Sequence, residues 1–315
     1  MIIDAETKIY LDKRISDNSI RHHELPPAEL RKERLKQLAK DDLKGPDLID
    51  VFEIKVGEND SSKIKLRIYV PLQTHKDKDY PVTLFFHGGG FVMGNLDTHD
   101  YPCRCIAKFS ENIVIAVDYR LSPENKFPIA LNDAKFVLKK LGEFSLPFKI
   151  DHDKVIVCGD SAGGNLATVL AINHSYNLLP KVKGQILIYP CVDLTLSMRS
   201  MDIDIKGLVF SGKTMSYFVK HYLEDKKDEV NWEVSPLYAP NLSNLPPAYI
   251  FSAGLDPLLD EGVAYKNRLI DNGSFVKHKL YPGQIHGFVT NSRHFPKGLD
   301  CLKEIGEIIK SIIRS

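Results

Sequence analysis

The sequence predicts an α/β fold on a mostly parallel sheet, and three features carry that prediction. Short, nearly continuous apolar runs at 82–86, 113–117, 155–158, 185–189 and 249–252 read as strands covered on both faces. Helical patterns at 101–109, 129–141, 165–173 and 260–271 fill intervals between and after these runs, and a last one spans 297–313, so the units are βαβ. The third feature is Gly159-Asp-Ser161-Ala-Gly163, where an apolar run ends and a helical pattern starts.

From the N-terminus, residues 1 to about 45 are polar and helical in pattern, opened at Pro26-Pro27 and rich in Arg, Lys, Glu and Leu. They read as an arm or cap whose Leu30, Leu35 and Leu38 bury one side. The alternating stretches 51–56 and 63–70, separated by Gly57-Glu-Asn-Asp60, predict an antiparallel hairpin at a sheet edge. A further alternating strand covers 275–280. Residues 194–232 break the rhythm with apolar, helix-like pieces and read as an insertion above the sheet, so the expected division is 1–45 and 46–315.

The chain has 315 residues, 43% hydrophobic and 26% charged, the composition of a globular protein with one large core. With 42 basic and 41 acidic residues the net charge is +1, which disfavours nucleic acid and anionic lipid as partners. No apolar run approaches the roughly 18 residues of a membrane span, and the first residues do not read as a leader, so the expected location is cytoplasmic. Cys103, Cys105, Cys158, Cys191 and Cys301 form an odd set without metal spacing, and free thiols are expected. Asp97, His99, Asp100, Cys103 and Cys105 cluster in sequence, but a helix through them would aim the groups in several directions, so no metal or other cofactor is expected.

The strand-to-helix junction reads as an elbow that pushes the Ser161 hydroxyl outward, with Gly159 and Gly163 relieving the crowding. A serine hydroxyl is a weak nucleophile at neutral pH and needs a base, itself oriented by a third group. Useful candidates follow parallel strands at their carboxyl ends. Asp256 follows the strand at 248–254, although Asp-Pro also suits a helix cap, and Asp260 and Glu261 are rivals inside the first helical turns. His286 follows the strand at 275–280. Acyl transfer also develops an oxyanion, and His87-Gly88-Gly89-Gly90 follows its own strand, so the expected donors are the Gly88, Gly89 and Ala162 N–H groups. Gly90, Asp160 and Glu261 are expected to support the site; His87 either fixes the glycine loop or is a satisfied buried histidine.

With these residues assembled, the chain resembles the hormone-sensitive-lipase-like (bacterial family IV) branch of the α/β-hydrolase superfamily, which includes bacterial acetyl esterases. The motifs are His87-Gly-Gly-Gly-Phe-Val-Met-Gly94, Asp118-Tyr-Arg-Leu-Ser-Pro-Glu124 with Phe127-Pro128, Gly159-Asp-Ser-Ala-Gly-Gly-Asn165, Asp256-Pro-Leu-Leu-Asp-Glu261 and His286-Gly-Phe288, across roughly 50–314. Family members commonly carry Ala where Ser122 stands. The resemblance implies an α/β-hydrolase fold, a twisted, mostly parallel eight-stranded sheet flanked by helices, with a helical cap made from 1–45 and about 194–232. It implies Ser161 as nucleophile, His286 as base and Asp256 as orienter, in the chain order of that superfamily, and a carboxylesterase acting on small-molecule esters with short acyl chains.

On that resemblance the cap sets acyl-chain preference, and Leu208, Val209, Phe210, Met215, Tyr217 and Phe218 are candidate pocket residues, with cap-helix core as the alternative. The same triad would also serve an amide, formamide or lactone hydrolase. A non-catalytic ligand-binding protein of this fold is disfavoured by the presence of all three triad residues. The final helix and the edge strand could pair two copies into a homodimer, though nothing forces it.

Overall fold

The structure, a computed structural model, describes residues 2–41, 45–57, 63–72 and 79–315. Its eight-stranded sheet has the order β1-β2-β4-β3-β5-β6-β7-β8, with β1 Asp50–Val56, β2 Ile64–Val70, β3 Tyr80–Phe86, β4 Ile113–Asp118, β5 Ile150–Asp160, β6 Gly184–Ile188, β7 Ala248–Leu255 and β8 Val276–Ile285. β1 and β2 pair antiparallel from Asp50↔Val70 to Val56↔Ile64, and β2 joins β4 antiparallel. Every other pairing is parallel. The expected hairpin forms, while Glu58–Asp60 of its turn lie outside the described residues.

The apolar runs are continuous because both sheet faces are covered, and successive side chains alternate between them. Leu84, Phe86, Val155 and Val157 enter one core, while Phe85, Ile156 and Cys158 enter the other. Helices α4 Ile129–Lys140 and α5 Ala162–Ser175 close the first face; α3 Asp100–Ser110 and α8 Pro296–Arg314 close the second. α7 Leu259–Asp271 follows β7, and its Tyr265 and Leu269 join the first core.

Several elements exceed their sequence signals. β5 begins at Ile150, five residues before its apolar run, because Asp151-His-Asp-Lys154 is polar and hides the strand. β8 runs on through Pro282 and Gly283, tolerable at the end of the sheet where one side of a strand lacks a ladder partner. α5 starts at Ala162, directly after the serine, its first turn disguised by two glycines that lower helix propensity. Residues 162–173 are all buried, so α5 is apolar nearly all round and sits inside the molecule.

The N-terminal region forms α1 Ala5–Ser16 and α2 Pro27–Asp41, and the 194–232 segment contains α6 Gly212–Tyr222 among short turns. The two regions bind one another. Tyr217 Oη donates to the Leu25 carbonyl at 2.9 Å, His23 Nδ1 lies 3.1 Å from Thr214 Oγ1, and Arg21 pairs with Asp204 at 3.0 Å. Arg31 on α2 reaches the loops after β3 and β4, donating to the Val92 carbonyl at 2.7 Å, to the Ser122 carbonyl at 2.6 Å and to both Glu124 oxygens.

Candidate active site

Ser161 sits where β5 turns into α5, with φ 55° and ψ −118°. A β-carbon residue rarely takes a positive φ, and strain of this kind is held only by surrounding structure. Here the Ser161 N–H donates to the Ile188 carbonyl at 2.9 Å, and Asn165 Nδ2 donates to the Cys191 and Val234 carbonyls at 2.9 and 2.8 Å. Glycine is required beside the turn, because a Cβ on Gly163 would overlap the Phe86 carbonyl oxygen.

His286 and Asp256 complete an unbroken line. Ser161 Oγ lies 3.0 Å from His286 Nε2, and His286 Nδ1 lies 2.8 Å from Asp256 Oδ2. The line is consistent when Nδ1–H donates to the carboxylate, which leaves Nε2 to accept the serine proton. Asp256 is fully buried, and its other oxygen accepts the Leu258 N–H at 2.8 Å. The turn contact that Asp-Pro suggests and the contact to His286 thus coexist, one on each oxygen. The imidazole is held between rings, stacked on Phe210 with centroids 4.0 Å apart and tilted against Tyr189 at 4.6 Å.

The glycine loop corrects one expectation. The Gly88 N–H donates to Asp160 Oδ1 at 2.9 Å, so it is already committed and is not available to an oxyanion. Among the described residues, no acceptor is found for the N–H groups of Gly89 and Gly90, and that of Ala162 opens α5, where no intrahelical acceptor exists. Gly89 has φ 122°, open to glycine alone.

Asp160 is the anchor of this loop. Burial alone would raise its pKa, but His99, 3.2 Å away, and the Gly88 N–H outweigh that and hold it below the ordinary carboxylate value. His87 is pushed down to about 3 by burial and then by His99, so it is neutral. Its Nδ1 lies 2.9 Å from the Gly88 carbonyl, and its ring stacks on Tyr119 at 4.2 Å. His87 therefore braces the loop and does not touch Ser161 through any hydrogen bond.

Glu261 supports a different segment from the triad. It is fully buried behind the loop after β6, where Oε1 accepts the Val192 and Asp193 N–H groups at 2.6 and 3.2 Å. Burial pushes its pKa well up. The Asp97–Cys105 cluster disperses, with Asp97 and His99 before α3 and Asp100, Cys103 and Cys105 on it. Asp97 and Asp100 bind Arg67, His99 turns to Asp160, and Cys103 and Cys105 are buried. Among the described residues no group of three His, Cys, Asp or Glu side chains could hold a metal ion.

Two spaces meet at Ser161. An apolar cleft of about 10 Å³ is lined by Phe91, Cys191, Leu194, Met215, Phe218 and Tyr222. A cavity of about 100 Å³ opens on Ser161 and His286, with Val209, Phe210 and Phe218 among its walls. Four of the six candidate pocket residues thus line the site. Leu208 packs into the core with the α3 and α8 side chains, and Tyr217 spends its hydroxyl on Leu25. Tyr10, Arg14, His22 and Arg34 also line the larger cavity. They come from the arm, whose charges look on the sequence like an ordinary solvated helix face.

A buried serine and a buried aspartate joined in this order through a partly buried histidine on such a sheet define a hydrolase arrangement, and the chain belongs to the α/β hydrolase fold family, matched over residues 83–290. It is similar to an arylesterase of Saccharolobus solfataricus, 34% identical over 322 residues and covering all of both chains. An ethyl acetate hydrolase of Pseudomonas putida is 34% identical over 245 residues, 78% of this chain and 76% of that one. Among solved structures, a hyperthermophilic esterase of Pyrobaculum calidifontis superposes with a TM-score of 0.91 at 33% identity, covering all of both chains. No helix among the described residues is long and apolar enough to cross a membrane.

Proposed function

We propose that this chain is a serine carboxylesterase that hydrolyses short-chain acyl esters through an acyl-enzyme on Ser161. The observation that carries the reading is the line Ser161 Oγ, His286 Nε2, His286 Nδ1, Asp256 Oδ2, with separations of 3.0 and 2.8 Å. His286 takes the Ser161 proton as the hydroxyl attacks the ester carbonyl, then returns it to the departing alcohol. Water enters by the same route and releases the acid, while Asp256 holds the tautomer. The carbonyl oxygen becomes an oxyanion facing the N–H groups of Gly89, Gly90 and Ala162, each such donor being worth about 2.7 to 4 kcal/mol in the transition state.

The short-chain preference rests on the apolar cleft beside Ser161. The cleft is narrow and walled by Met215 and Phe218, so a long acyl chain enters only by displacing them. We assign α1, α2 and the 194–232 segment the role of a cap over this cleft. The reading places the enzyme in the cytoplasm, and two copies could pair along β8 and α8, which sedimentation would detect.

Turnover of p-nitrophenyl acetate, butyrate, octanoate and laurate by wild type and Ser161→Ala tests the proposal. Rates that fall beyond butyrate, together with loss of turnover in the variant, are expected. Equal rates for both proteins would sink the enzyme reading. A maximum at octanoate or longer would overturn the chain-length claim, and preference for formamides or lactones would reassign the substrate.

A further inference from the structure

The larger cavity at Ser161 continues into a polar space of about 690 Å³ between α1, α2 and the loop after β8, and the two share Arg14 and Arg34. Neither guanidinium has a carboxylate partner among the described residues, whereas Arg21, Arg31, Arg67, Arg104 and Arg120 each have one. Arg34 donates to Asn291 Oδ1 at 3.1 Å, and Asn291 in turn donates to the carbonyl of Gly287, next to His286. Among the described residues Arg14 reaches the Ile20 carbonyl, at 3.4 Å, and the face of Tyr10, while its Nε is buried with no acceptor among them.

The acids that line the same space are engaged elsewhere. Glu6 accepts from Gln284, Asp17 pairs with Lys13, and Glu33 lies 3.8 Å from Lys36. Asp160, on the wall of the cavity at Ser161, is held by His99 and the Gly88 N–H, so two half-buried cations face this cavity without a paired carboxylate among the described residues, which is costly unless a ligand supplies the counter-charge. Burial lowers the pKa of Arg34 and the charge of Arg14 adds to it, against the opposing pull of Tyr10 and the Asp160 carboxylate, which is the same cost seen on one group.

His286 lines this cavity and not the apolar cleft, and it must hand its proton to the leaving oxygen, so the alcohol half of the ester departs on the arginine side. We propose that Arg14 and Arg34 form an anion subsite for the leaving group, so that this enzyme prefers esters whose alcohol half carries a carboxylate or phosphate. Guanidinium forks suit either oxyanion through paired hydrogen bonds. The inference rests on the esterase reading above and adds the substrate class.

The test compares kcat/KM for 4-acetoxybenzoate with that for its neutral methyl ester, in wild type, Arg34→Gln and Arg14→Gln. The ratio of anionic to neutral ester should fall about ten-fold in each variant, the usual scale of a charge-assisted contact. In wild type it should also fall as salt rises from about 0.02 to 0.5 M. An unchanged ratio in both variants and across salt would overturn the subsite while leaving the esterase reading intact. Absence of turnover for both esters would instead sink the esterase reading. Should either variant fail to fold, inhibition of the wild type decides: stronger competition by 4-hydroxybenzoate than by its methyl ester supports the subsite, and the reverse order overturns it.

Discussion

The carboxylate of Asp160 accepts the Gly88 N–H at 2.9 Å, so the residue before Ser161 holds the glycine loop that faces it. Position and charge are coupled here, because the same carboxylate also holds His99. Asp160→Ala leaves the Gly88 N–H buried and unpaired, and stability should fall by about 1 to 3 kcal/mol. The loop donors shift with it, so kcat should fall about ten-fold or more with KM little changed. Asp160→Asn keeps an acceptor oxygen and should recover much of both. Urea unfolding and p-nitrophenyl acetate kinetics read the two effects, and an alanine variant equal to wild type would remove the loop role.

His87 makes the fold sensitive to mild acid. Its folded pKa is pushed down from 6.5 to about 3, first by burial and then by His99. The unfolded chain therefore binds a proton through a range where the folded chain refuses it, and stability falls as pH drops from about 6.5 toward 3. His22 is lowered to about 3 as well and acts in the same direction. His87→Gln should flatten the profile by at most about 1.4 kcal/mol per pH unit. Unfolding midpoints near pH 7, 6 and 5 measure it; parallel profiles would contradict a neutral buried His87.

Glu261 acts with the opposite sign. Burial raises its pKa above 4.5 and outweighs the two N–H groups that favour the charged form, so its contribution is fullest below 4.5 and is lost as pH rises. Glu261→Gln keeps the acceptor for Val192 and Asp193 without the titration. The variant should match wild type near pH 4 and melt higher near pH 8. The same melting difference at both pH values would rule out this assignment.

Strain at the elbow gives a fourth expectation. Ser161 holds φ 55° beside a strand and a helix that leave it no alternative, and glycine takes such an angle freely. Ser161→Gly should be inactive yet more stable than wild type by about 1 kcal/mol. A loss of stability would show that the hydroxyl hydrogen bond outweighs the backbone strain.

Much of this arrangement was legible from the chain because each part obeys a local rule. Ser161, Asp256 and His286 each follow a strand, marked in the sequence by the apolar run at 155–158, by that at 249–252 and by the alternation at 275–280. What escaped depends on geometry across the sheet. Nothing in His87-Gly88-Gly89-Gly90 says which amide meets Asp160, since the two segments are neighbours only through the β3–β5 pairing. Arg14 and Arg34 were likewise hidden, because their inward aim is set by how α1 and α2 pack and their sequence pattern matches any solvated helix. Tyr189 carried no sequence signal for its place against His286, as it reads simply as the end of an apolar strand.

The central claim is that Ser161 carries the acyl group. Its most direct test is stoichiometric labelling with diethyl p-nitrophenyl phosphate, followed by peptide mass spectrometry and residual activity. One diethylphosphoryl group on the peptide containing Ser161, appearing in step with loss of esterase activity and absent from Ser161→Ala, is the predicted result. Full labelling of another residue, or of Ser161 with activity retained, would contradict the account.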